Sequence, residues 1–68
     1  MSKEERISLR SARMMRGITQ AEMAEKLDVH RNTYVNWEEH PEDISMKNAR
    51  RICEILDLTA DDIIFFTT

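Results

Sequence analysis

Thr19-Gln-Ala-Glu-Met-Ala-Glu-Lys-Leu-Asp-Val-His-Arg-Asn-Thr-Tyr-Val-Asn-Trp-Glu38 carries two apolar stripes at helical spacing, separated by three residues. Met23, Ala24 and Leu27 put one face of a first helix, from about Gln20 to Leu27, against a core. Thr19 and Glu22 have capping-box spacing. The hydroxyl accepts the N–H at the third helical position, and the Glu side chain returns to the backbone N–H of the cap, so two otherwise unpaired donors are satisfied. Asp28-Val29-His30 leaves room only for a turn. A second helix then runs from about Arg31 to Glu38, with Tyr34 and Trp37 inward and Arg31, Asn32, Val35 and Asn36 outward. A valine on that outward face is unusual.

The flanking segments also read as helices. A helix over about Lys3–Arg16 places Leu9, Ala12 and Met15 inward, and Gly17 supplies the left-handed residue that ends it. His40-Pro41-Glu42-Asp43 is a loop, because proline disfavours the helical region at the residue before it. A fourth helix spans about Met46–Leu56, with Met46, Ala49, Ile52, Cys53 and Leu56 as its stripe. A short fifth helix follows Thr59 and carries Ile63, Ile64, Phe65 and Phe66, which cannot all face one core. Ser2 to Glu5, Ser45 to Asn48 and Thr59 to Asp62 repeat the Ser/Thr spacing of a helix start, Asn48 fitting less well than an acid. Glu25–Val29 and Glu54–Leu58 echo each other, each with Asp where a helix stops. The expected fold is all-α, a compact five-helix domain occupying residues 1–68.

Composition narrows the function classes. A chain of 68 residues buries only about 60% of its unfolded surface, which leaves no room for a separate catalytic or cofactor domain. Cys53 is the sole cysteine, so an intrachain disulfide is excluded; on its apolar stripe it reads as a small buried hydrophobe. His30, His40 and Cys53 match no metal-ligand spacing, and no nucleophile and base are paired, so neither metal, cofactor nor enzymatic activity is expected. The five methionines read as gap fillers. The charged N-terminus and the lack of a long apolar run point to a cytoplasmic protein with no membrane partner. Its formal charge of −3 is unevenly spread: residues 1–18 sum to +3, 38–46 to −4, 47–56 to +2 and 57–68 to −3. A surface so divided can turn a basic face to phosphates despite an acidic total.

Two short helices across a tight turn, the second with polar outward positions, are the parts of a helix-turn-helix. The 19–38 segment resembles that of the phage repressor and Cro class, in a likeness extending over roughly residues 7–66. It rests on Gln20 opening the first helix, the small Ala24 at the crossing, apolar Met23, Leu27, Val29, Tyr34 and Trp37, and Glu38 closing the second. The resemblance implies a lambda-repressor-like fold that binds double-stranded DNA, with the second helix of the pair in the major groove.

It also implies roles for individual residues. Gln20 takes the anchoring position, and Arg31, Asn32, Val35 and Asn36 take the base-reading positions. Their chemistry suits this: Arg pairs with guanine O6/N7, Asn with adenine N6/N7, and Val meets a thymine methyl. Outside such a motif Arg31, Asn32 and Asn36 would read as a solvated face, and the spacing of Tyr34 and Trp37 assigns them to the core rather than to base stacking. His30 and Thr33 are candidate phosphate contacts. Lys47 is the best such candidate in a 47–51 stretch that otherwise reads as solvated. The family pattern further implies an ion pair between Arg13 and Glu38, and a homodimer for which Ile64, Phe65 and Phe66 form a candidate interface.

The sequence departs from the family pattern at three places. Asp28 stands where glycine is usual in the turn, His30 stands where Ser or Thr caps the second helix, and Glu39, Glu42 and Asp43 occupy what is often a basic phosphate clamp. The reading is a phage or bacterial repressor that occupies a pseudo-palindromic operator, with no small-molecule ligand and no sensing module. The acidic 38–46 segment and the apolar C-terminus favour an alternative, a protein-interaction module of antitoxin or anti-repressor type.

Overall fold

The computed structural model describes residues 7–59 and 61–64. Through these the chain forms β1 (Ile7–Ser8), α1 (Leu9–Met15), α2 (Gln20–Leu27), α3 (Arg31–Glu39), a 3₁₀ turn (Pro41–Asp43), α4 (Met46–Leu56) and β2 (Ile63–Ile64). Every α-helix starts on a side chain that accepts a free backbone N–H. Ser8 caps α1 through the Ser11 N–H at 3.1 Å, and Ser45 caps α4 through the Asn48 N–H at 3.2 Å. Thr19 and Glu22 close the expected capping box on α2. His30 caps α3 with Nδ1, which accepts the Asn32 N–H at 3.0 Å. An accepting Nδ1 carries no proton, so in the neutral ring the hydrogen sits on Nε2. The departure from Ser or Thr at this position therefore still leaves α3 capped.

Three helices also end alike. Gly17, Asp28 and Asp57 adopt φ of 70°, 59° and 56° after α1, α2 and α4. The residue after each, Ile18, Val29 or Leu58, returns its N–H to a carbonyl five residues back, on Arg13, Ala24 and Cys53. This is the Schellman arrangement, in which the residue following the left-handed one packs inward. Ile18, Val29 and Leu58 all lie against the core, so the echo between residues 25–29 and 54–58 is a repeated helix stop.

The core joins Leu9 and Ala12 of α1, Met23, Ala24 and Leu27 of α2, Tyr34 and Trp37 of α3, and Ala49, Ile52 and Leu56 of α4, closed by Ile44 and Ile63. Tyr34 and Trp37 meet edge to face with ring centroids 6.5 Å apart, which confirms their inward assignment.

Several expectations need correction. Four α-helices are present among the described residues, not five. After Thr59 the chain makes one turn: the Thr59 N–H and hydroxyl both donate to Asp62 Oδ2 at 3.0 Å, and the Asp62 N–H returns to the Thr59 carbonyl. It then extends, and β2 pairs parallel with β1 in the register Ile7 to Ile63 and Ser8 to Ile64. An extended segment sends successive side chains to opposite sides, which lets Ile63 enter the core while its backbone pairs with the start of the chain. Of the candidate dimer residues, Ile64 contributes backbone to β2, and Phe65 and Phe66 lie outside the described residues, as do Lys3 and the Ser2 cap.

Met15 and Met46 are exposed rather than inward. The inward stripe of α1 passes through Leu9, Ala12 and Arg13, which turns Met15 out, and Met46 is the first residue of α4, one turn before its stripe begins at Ala49. Cys53 is half-buried. No helix among the described residues is long and apolar enough to cross a membrane.

Candidate nucleic-acid interface

The junction of α1, α2 and α3 is held by one buried ion pair. Arg13 Nε lies 2.6 Å from Glu38 Oε2, and the two side chains are 9% and 4% exposed. Arg13 Nη2 donates to Glu38 Oε1 at 3.4 Å, and Nη1 donates to the Ile18 carbonyl at 2.7 Å. Gln20 Nε2 completes the cluster by donating to Glu38 Oε1 at 3.0 Å. The expected Arg13–Glu38 pair is therefore formed in bidentate geometry. The hydrogen bond from Glu38 raises the Arg13 guanidinium above its ordinary value, against burial. Burial pushes the Glu38 carboxyl up, but the Arg13 donors, the neighbouring Tyr34 hydroxyl and the Gln20 amide outweigh it and hold the group below the usual carboxylate range. The Tyr34 hydroxyl is buried beside this cluster without a partner at hydrogen-bond geometry, and burial, with the Glu38 carboxylate nearby, raises the phenol far above its normal range.

Above the pair opens a cleft of about 500 Å³ lined by Arg10, Thr19, Gln20, Ala21, Arg31, Val35 and Glu39. Arg13 and Glu38, which also line it, neutralise one another, so Arg10 and Arg31 set its charge against Glu39 alone. Neither Arg10 nor Arg31 has an ion-pair partner among the described residues. The N-terminus of α2 opens on the same cleft. Its Thr19 and Glu22 N–H groups are consumed by the capping box, while those of Gln20 and Ala21 have no partner within the helix. Two guanidinium groups beside free helix N–H groups make a surface suited to an anion.

The structure distributes the sequence-derived residues unevenly. Gln20, Arg31 and Val35 share the cleft; Asn32, Thr33 and Asn36 lie on the exposed side of α3, and Lys47 is exposed at the start of α4. Two of these side chains have commitments that the sequence did not announce. Gln20 gives one amide hydrogen to Glu38, and Asn36 Nδ2 donates to Asp43 Oδ2 at 3.1 Å. His30, with Nδ1 used in capping, has Nε2 left to donate. Arg10 was missed as an individual residue; its i,i+3 relation to Arg13 puts both on one side of α1, and that spacing was the available signal.

Other cations serve the scaffold. Arg16 donates to the Leu56 and Asp57 carbonyls at the end of α4, at 2.6 and 3.3 Å, and Arg51 donates to the Lys26 carbonyl at the end of α2, at 3.0 Å. Burial and the nearby Asp62 and Glu54 charges raise the Cys53 thiol, which keeps it protonated and a poor nucleophile. Searches against curated proteins and solved structures return no significant match. A family model described as helix-turn-helix matches residues 9–63, a span that takes in all four α-helices and the cleft, and the chain belongs to this Cro/C1-type family of DNA-binding domains.

Proposed function

We propose that the protein is a sequence-specific transcriptional regulator, a repressor that occupies a pseudo-palindromic operator as a homodimer. The observation that carries this reading is the solvent-facing side of α3. It presents Arg31, Asn32, Val35 and Asn36 in succession, next to a cleft where Arg10 and the α2 N-terminus can hold the phosphate backbone. In this reading α3 enters the major groove and those four residues contact base edges. Gln20, Thr33, Lys47 and the His30 Nε2–H donate to phosphates on either side.

A two-fold dimer sets its two recognition helices about 34 Å apart, one turn of the duplex. Glu39, Glu42 and Asp43 on and after α3 act against loose association with DNA that offers no matching bases.

Selection from a random DNA pool tests the reading, followed by titration of the enriched site with wild type, Arg31→Ala and Lys47→Ala. Arg31→Ala is expected to relax preference at one base by roughly 1–3 kcal/mol, whereas Lys47→Ala weakens all sequences alike. Failure to enrich any motif rules the regulator out.

A further inference from the structure

We infer that Asp43 is a positioning residue for base recognition: from the 3₁₀ turn after α3, its carboxylate fixes the Asn36 amide in the orientation that reads one base. The inference rests on the DNA-reading role of α3 proposed above.

An asparagine amide has two hydrogens on Nδ2 and an acceptor Oδ1, and its pairing with adenine uses Oδ1 and only one of those hydrogens, toward N6–H and N7. The other hydrogen is free for a second partner. In this structure Asn36 Nδ2 donates to Asp43 Oδ2 at 3.1 Å, and Oδ1 makes no hydrogen bond among the described residues. A carboxylate only accepts, so it can bond the nitrogen end of the amide but not the oxygen end. The contact thereby decides which way round the amide lies, a choice that an exposed asparagine otherwise leaves open between two orientations of opposite base preference.

The turn that carries Asp43 is itself built in. Pro41 opens it, the Asp43 and Ile44 N–H groups bond to the His40 and Pro41 carbonyls at 2.9 and 3.1 Å, and Ile44 is buried in the core. The carboxylate is thus held on a short tether between the end of α3 and the core. This gives a local purpose to one acid in a segment whose charge otherwise opposes phosphate.

Five proteins on the wild-type selected site and its single-base variants test this: wild type, Asp43→Ala, Asp43→Asn, Asn36→Ala and the Asp43→Ala/Asn36→Ala double variant. Asp43→Ala is expected to lower discrimination at one base position by roughly fivefold or more, within the range of a single asparagine contact, and to leave the other positions unchanged. The double variant with Asn36→Ala should discriminate there no worse than Asn36→Ala alone. Asp43→Asn carries a donor as well as an acceptor, so it can bond either end of the Asn36 amide; it should lose the preference as Asp43→Ala does while tightening binding to all sequences. Asp43 is exposed, so both Asp43 variants should melt with wild type. A selected motif whose base preferences survive Asp43→Ala, or sharpen at that position, overturns this inference and leaves the regulator reading intact. A wild type that selects no motif overturns both.

Discussion

Replacing Glu38 by alanine removes the acceptor at the centre of the junction. Arg13 is left with its Nε and Nη2 facing a site from which water is largely excluded, and Gln20 loses the partner of its amide. Stranding one member of a buried pair costs about 3–5 kcal/mol, most of it the desolvation of the charge left behind. A chain of 68 residues has a total stability of roughly 3–10 kcal/mol, so the variant loses about a third or more of it. With about 4–8 °C of Tm per kcal/mol at this size, the melt followed by circular dichroism at 222 nm should fall by roughly 12–40 °C. Replacing both residues with apolar ones, as in Arg13→Met with Glu38→Leu, should recover much of that loss, because no buried charge is stranded; the Ile18 carbonyl still lacks its donor.

The same carboxylate sets a pH dependence. Glu38 has a folded pKa below its unfolded value, so it stabilises the fold above the ordinary carboxylate range, and that contribution disappears as pH falls through the folded value. Glu22 and Asp62, held low chiefly by the backbone N–H groups of Thr19 and Thr59, act in the same direction. The raised guanidinium of Arg13 stays charged throughout. Below about pH 4 the Tm of wild type should therefore drop more steeply than that of Glu38→Gln, which has no charge at this site to lose. A Glu38→Ala melt within a few degrees of wild type, or parallel acid profiles for wild type and Glu38→Gln, would refute the placement of the pair at the centre of the fold's stability.

Three further substitutions probe the scaffold. Tyr34→Phe removes a buried hydroxyl that has no partner at hydrogen-bond geometry among the described residues, so stability in urea should stay level or rise by up to about 1 kcal/mol; a loss beyond that would mean the hydroxyl bonds Glu38 after all. Asp28→Gly and Asp57→Gly place glycine at φ near +57°, where a side chain is tolerated at a cost, and each should stabilise by about 0.5–1 kcal/mol in the same assay. Destabilisation by either would show that the aspartate side chain contributes something glycine cannot replace.

What the sequence made legible was local. The Thr19–Glu22 box, the three-residue turn and the Tyr34/Trp37 spacing lie within a few residues of each other, and each acts through a contact of one helical turn or less. The two Asp stops were visible for the same reason. What stayed hidden depends on partners distant in sequence. The pairing of Ile7 with Ile63 has no local signature, so four apolar residues after Thr59 read as a helix when two of them form a strand. The exposure of Met15 follows from where α1 meets its neighbours, a phase that a stripe containing both arginines and methionines leaves open. Within the site, Gln20, Arg31 and Val35 were legible by position; the grip of Glu38 on Gln20, the grip of Asp43 on Asn36 and the entry of Arg10 into the cleft depend on tertiary placement.

The acidic total has a structural explanation that bears on how DNA would be bound. Arg13, Arg16 and Arg51 are each turned toward a backbone carbonyl at or just after the end of a helix, and Arg13 is also neutralised by Glu38, so three cations serve the scaffold. In the proposed reading Arg31 contacts bases, which leaves Arg10 in the cleft and the exposed Lys47 as the phosphate-neutralising groups assigned among the described residues. Each neutralised phosphate contributes about −0.9 to the slope of log affinity against log salt, so two per protomer give a dimer a slope of only about −4. Arg10→Ala should flatten it by about 2 in the dimer while leaving base preferences unchanged, because a phosphate contact carries no sequence information. A protein with so shallow a slope draws its affinity mainly from the groove, and for that its reading side chains must be held in place before the DNA arrives. A slope near −8, or an Arg10→Ala variant that keeps the wild-type slope, would mean that other cations face the duplex and that this division of labour among the arginines is wrong.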